Sequence, residues 1–269
     1  SYPYSGGSVL SGYLLNDGGS VIGGAYYNRY LEYPHSDDDI KDAIINRYKD
    51  VVKLTRDEIL LTCGSIGAIL TLNRMVLVPG KVIIGLAPQF TAVVDDFVTY
   101  ETVYRPVYLK KENNYAFKLD DFLAAMKANP GAYIYIDNPN NPTGQVIPLE
   151  QAEEIVKLAR ELDSFVVLDE AYGDYMPPAE SAVRLIDKYD NLAVMRTFSK
   201  GMGAAGIRLG YLLANPVVIG AAAKVNVPYS KNEIAGRIAE AIINCDWAGR
   251  CREKVLIDKP RMLASLDKL

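Results

Sequence analysis

The chain has 269 residues, 49% of them apolar and 23% charged, which suits a soluble globular fold of one large domain or slightly more. Its 29 basic and 33 acidic residues leave a net charge of −4, so it has no basic field to attract nucleic acid or acidic lipid. No run of 18 or more apolar residues is present to span a membrane, and the opening Ser-Tyr-Pro-Tyr-Ser-Gly-Gly lacks the cationic and apolar regions of a secretory signal.

Cys63, Cys245 and Cys251 form no CxxC pair and are odd in number, the usage expected of a reducing, cytoplasmic setting. His35 is the single histidine, which excludes a His-rich metal site and most His-based triads, and no metal is expected. Chemistry must therefore run on Lys, Asp, Tyr and Arg, or on a borrowed cofactor.

In chain order, residues 1–35 are rich in Gly, Tyr and Ser with little periodicity and are expected to be an arm or loop. Asp37-Asp38-Asp39 then precedes a helical pattern through Ile40, Ala43, Ile44 and Tyr48, with the acids placed where the helix dipole favours them. Residues 58–62 read as a short buried strand. It runs through Cys63-Gly64-Ser65-Ile66-Gly67 into a helical stretch over 68–78, closed by Pro79-Gly80.

Strands are predicted at 82–86, 103–109, 132–136, 165–168, 192–196 and 209–214, and the clearest helix at 149–162. Short β-branched runs alternating with helices of about 10–15 residues predict an α/β fold with a mostly parallel sheet flanked by helices. Ligands sit at the carboxyl ends of such strands, so the residues just beyond them matter most.

Four strand ends carry unusual residues. Asp137-Asn138-Pro139-Asn140-Asn141-Pro142-Thr143-Gly144 follows one, and Asp169-Glu170-Ala171-Tyr172 another. Thr197-Phe198-Ser199-Lys200 follows a third, with Arg208 downstream, and Gly64-Ser65 follows the first strand. Singly, each has an ordinary explanation: a turn former, a helix cap, a solvated loop, a surface ion pair. Their joint occurrence in this order is harder to explain that way.

Gly201-Met202-Gly203-Ala204-Ala205-Gly206 matches G-x-G-x-x-G, but a dinucleotide site requires the run to open a helix and an acid to follow the next strand. Here another strand follows directly, and no acid lies near Asn226, so the glycines are read as a turn that lets Lys200 reach inward.

The runs DNPNNPTG, DEAY and RTFSKGMGAAGIRLGY resemble the fold-type-I aminotransferases that use pyridoxal 5'-phosphate (PLP), most of all their histidinol-phosphate branch, over about residues 30–269. The resemblance implies that Lys200 attaches the cofactor and then moves a proton at the substrate carbon. Asp169 would face the pyridine nitrogen, while Tyr172 and Asn141 would reach the phenolic oxygen. Arg208, Thr197, Ser199 and the backbone N–H groups of Gly64, Ser65 and Ile66 would hold the phosphate. Phe90 matches the position of a ring stacked on the pyridine, or is an ordinary core side chain.

Asn28-Arg29-Tyr30-Leu31-Glu32-Tyr33-Pro34 resembles the family segment whose tyrosine reaches the partner subunit's cofactor in a homodimer; Tyr33 or Tyr30 would serve. The resemblance further implies an arm at 1–35, a PLP-binding large domain at 36–230 and a helical connection at 231–269 toward a small C-terminal domain largely absent here. It leaves the chain as a truncated aminotransferase or a reduced variant. Amino transfer from a small-molecule amino donor to a keto acid such as 2-oxoglutarate is expected. The alternatives are decarboxylation of an amino-acid phosphate and PLP binding without turnover.

Overall fold

The computed structural model describes residues 37–268, together with the antiparallel pair of two-residue strands Asn16–Asp17 and Ser20–Val21. Within 37–268 the strands of the main sheet are β1 (Ile59–Thr62), β2 (Val82–Ala87), β3 (Val103–Tyr108), β4 (Tyr133–Asp137), β5 (Phe165–Asp169), β6 (Leu192–Thr197) and β7 (Gly210–Ala214). They lie in the order β1-β7-β6-β5-β4-β2-β3. The helices are α1 (Asp38–Tyr48), α2 (Gly64–Val76), α3 (Thr91–Thr99), α4 (Leu119–Lys127), α5 (Leu149–Glu161), α6 (Pro216–Val225), α7 (Glu233–Asn244) and α8 (Trp247–Leu266).

Strand alternation sorts the core into two layers. Ile134, Ile136, Leu168 and Val194 face a cluster completed by Ile44 of α1, Phe122 of α4, Ile155 of α5 and Ala239 of α7. Tyr133, Tyr135, Val167 and Met195 face the other, completed by Ile69 and Leu72 of α2, Phe97 of α3 and Ala222 of α6. A sheet covered on both faces needs apolar side chains at every position, which is why the central strands read as unbroken apolar runs. Removing a side chain that covers the sheet, such as Phe122 of α4 by Phe122→Ala, costs about 3–5 kcal/mol.

The sheet is parallel except at β7, which runs antiparallel to both β6 and β1. Residues 198–209 between β6 and β7 contain one 3-10 turn, Ala205–Ile207, and no helix long enough for a crossover, so the chain doubles back. This refines the sequence reading: the residues preceding β7, not those following it, stand at the carboxyl ends of the other strands. The expected 68–78 helix also begins earlier, at Gly64, whose φ of +70° lets the chain enter the first helical turn directly from β1.

Candidate active site

Five neighbouring strands meet at one edge of the sheet, where β1, β6, β5 and β4 end and β7 begins, and their register aligns the singled-out residues. Asp137 pairs with Asp169, and Asp169 with Met195. Gly210 pairs with Thr197 on one side and Thr62 on the other. Side-chain alternation then separates immediate neighbours: Asp169 turns toward the α2 layer, whereas Glu170 goes to the opposite side.

Asp169 is 3% exposed. Its Oδ2 accepts from the Tyr135 hydroxyl at 2.6 Å and its Oδ1 from the Ala171 N–H at 2.9 Å. Burial raises its pKa above the usual carboxylate value, while these two donors and the Lys200 charge pull it back down. Lys200 is exposed, with Nζ 5.1 Å from the centre of the half-buried Tyr172 ring, close enough for a cation–π contact.

The neighbouring carboxylate, Asp137, organises the loop after β4. Its Oδ2 accepts from the Asn141 N–H at 2.8 Å and its Oδ1 from Asn140 Nδ2 at 3.0 Å. Asn138 binds both the N–H and the C=O of Ile147, at 2.8 and 3.0 Å, like an added strand residue. Burial raises Asp137 to about 6, against the pull of these amides. The loop so held places Asn141 and Tyr172 in one cavity, with Tyr175, Met176 and Lys259 also in its wall.

A candidate anion seat lies where β1, β7 and α2 meet. The first N–H groups of a helix lack partners within it, which makes those of Gly64, Ser65 and Ile66 candidate anion donors; Gly67 is already bonded, to Cys63 O at 3.3 Å. A Cβ at Gly64 would stand 3.0 Å from Arg208 Nη2, so the guanidinium lies against this turn. Arg208 has a φ of +53°, sparsely populated for a non-glycine residue, and its Nη1 donates to Ala205 O at 2.9 Å. A Cβ at Gly210 would come within 2.6 Å of the Gly64 carbonyl carbon, so only glycine lets β7 approach so closely. Thr197 and Ser199 add a hydroxyl pair, Oγ to Oγ 3.0 Å.

Of the remaining expected residues, Phe90 is half-buried at the start of α3, packed against the second core layer. Tyr33, Tyr30 and His35 lie outside the described residues. Sequence reasoning missed Tyr135 and the role of Asp137. The run Tyr133-Ile134-Tyr135-Ile136-Asp137 held the signal, because a period of two places Tyr133, Tyr135 and Asp137 on one face. It also missed an ion cluster on the opposite face: Arg196 donates to Glu170 Oε2 at 2.7 Å and to Asp174 Oδ1 at 2.6 Å, and Arg47 joins Asp174 at 2.9 Å.

Known proteins resemble this chain in both sequence and fold. The histidinol-phosphate aminotransferase of Haloquadratum walsbyi is 33% identical over 218 residues, covering 80% of this chain and 55% of that protein. The crystal structure of histidinol-phosphate aminotransferase from Sinorhizobium meliloti in complex with pyridoxal-5'-phosphate superposes with a TM-score of 0.73 at 26% identity, over 84% of this chain and 60% of that one. The histidinol-phosphate aminotransferase from Clostridium acetobutylicum shares the fold, with a TM-score of 0.78 at 22% identity over 89% of this chain and 70% of that one. The chain thus spans little more than half the length of the first relative. The sequence pattern of the family described as aminotransferase class I and II matches residues 25–248, and the chain belongs to that family.

Proposed function

We propose that the chain carries the PLP-binding large domain of an aminotransferase, at residues 36–230, with 231–269 as a helical connection. In this reading the enzyme moves an amino group between a phosphorylated amino alcohol of the histidinol-phosphate kind, or an amino acid, and 2-oxoglutarate. The observation that carries it is the convergence of a buried carboxylate, an exposed lysine and an anion seat at one sheet edge.

These residues suit a flat pyridine aldehyde bearing a phosphate. The turn at Gly64 and the Arg208 guanidinium offer donors to a dianion, and Asp169 keeps one lone pair on each oxygen beyond its two protein donors. Bound there, PLP supplies an electron sink for bonds broken at the substrate's α-carbon. Asp169 holds the ring nitrogen, and Asn141 and Tyr172 take the phenolic oxygen. Arg208, Thr197, Ser199 and the N–H groups of Gly64, Ser65 and Ile66 hold the phosphate, and Phe90 covers the ring. The Lys200 amine would hold the cofactor's aldehyde end and would carry the proton at the substrate's α-carbon. In a homodimer, Tyr33 or Tyr30 reaches the partner's site.

A half-reaction tests this. Histidinol phosphate added to the PLP-loaded chain should replace the visible absorbance of the lysine-bound cofactor with that of pyridoxamine phosphate, and 2-oxoglutarate should restore it. An unchanged spectrum with cofactor still bound overturns amino transfer. Carbon dioxide release from an amino-acid phosphate, without a keto acid, would assign decarboxylation instead.

A further inference from the structure

We propose that Tyr135 is the positioning residue that keeps Asp169 an anion aimed at the cofactor's ring nitrogen; this rests on the reading of Asp169 above and deepens it.

The geometry is specific. Tyr135 is fully buried in mid-sheet, and its ring meets Phe97 edge-on, centroids 5.9 Å apart at 79°. Its main chain is tied on both sides: β4 pairs it with Val167 of β5, and its carbonyl accepts from Gln89 Nε2 at 3.2 Å. The hydroxyl is thereby delivered to Asp169 Oδ2 at 2.6 Å, while the Ala171 N–H holds Oδ1. One donor on each oxygen fixes the plane of the carboxylate and so the direction in which its free lone pairs point.

The same contact settles charge. A carboxylate buried this deeply tends to keep its own proton, and one that does so cannot stabilise a cationic ring nitrogen. A short O–H···O⁻ bond favours the anion. Tyr135 always has its proton to give, because burial, followed by the charges of Asp169 and Asp137, pushes its hydroxyl far above the ordinary tyrosine value. Asp137 does not replace it, since above about pH 6 it is a carboxylate with no proton to give.

The test compares equilibrium binding of PLP with that of the analogue in which C–H replaces the ring nitrogen. The unsubstituted chain should prefer PLP. Tyr135→Phe should weaken PLP binding about tenfold or more, the worth of one hydrogen bond to a charged group, and leave the analogue within about twofold, so that the preference shrinks. Equal weakening of both ligands, or of neither, overturns the inference and leaves a packing role. Should Tyr135→Phe fail to fold, 3-fluorotyrosine installed at position 135 keeps the ring shape with a stronger donor. It must then widen the preference, and an unchanged ratio overturns the inference. If the unsubstituted chain shows no preference, the placement of Asp169 against the ring nitrogen itself falls.

Discussion

At the residue scale, the site depends on which side of the sheet a side chain takes. Asp169 and Glu170 are adjacent acids with unrelated tasks: the first has a lone pair to spare on each oxygen, the second is tied down by three donors, from Ser181, Ala182 and Arg196. Lys200 and Arg208 flank the turn after β6 and make separable predictions. Lys200→Ala should abolish borohydride-trapped cofactor while leaving the far-ultraviolet circular dichroism unchanged, and should lower turnover by at least about 10²–10⁴. Arg208→Ala should raise the Kd for PLP by about 10- to 100-fold, the worth of a charge-assisted contact. Binding of pyridoxal, which has no phosphate, should stay as it was; an equal loss for both would show that Arg208 shapes the turn rather than the anion seat.

At the scale of elements, the reversed strand β7 and the ion cluster behind it build the site without touching its ligands. The close approach of Gly210 to the Gly64–Ser65 turn brings β7, β1 and α2 into one junction. Gly210→Val should therefore cost about 1–3 kcal/mol by overpacking, read as a lower urea midpoint, and should weaken phosphate-bearing ligands with it. Arg196 is buried between Glu170 and Asp174, and Asp174 in turn binds Arg47. Arg196→Met leaves both acids short of a cation and should destabilise the chain by about 3–5 kcal/mol. Arg47→Met removes a less buried partner and should cost less.

For the whole molecule, Asp137 links stability to pH. Its folded-state value of about 6 lies above the unfolded value of 3.8, so the folded chain holds this proton over a range where the unfolded chain has lost it. The stabilisation from this group is therefore complete below about pH 4 and fades as pH rises through about 6, a change of about 3 kcal/mol in unfolding free energy. Urea unfolding between pH 4 and 7 checks the slope. Asp137→Asn should flatten it, and a slope unchanged by that substitution would assign the effect to another group.

The sequence alone determined the alternation of strands and helices, because a sheet buried on both faces demands short apolar runs and each crossover demands a helix. Every strand expected from those runs is present, with ends shifted by a residue or so. The carboxyl-end residues were legible for a related reason: Asp, Asn and Lys directly after buried strands contradict the apolar pattern around them. Only the tertiary structure decided the direction of β7, since a loop's path depends on what it meets. It also decided that Tyr135 serves Asp169 and that Arg196 serves Glu170 and Asp174. Those pairs are 34, 26 and 22 residues apart in the chain, and no local pattern encodes a hydrogen bond across strands. Periodicity tells which face a side chain takes, and packing chooses its partner there.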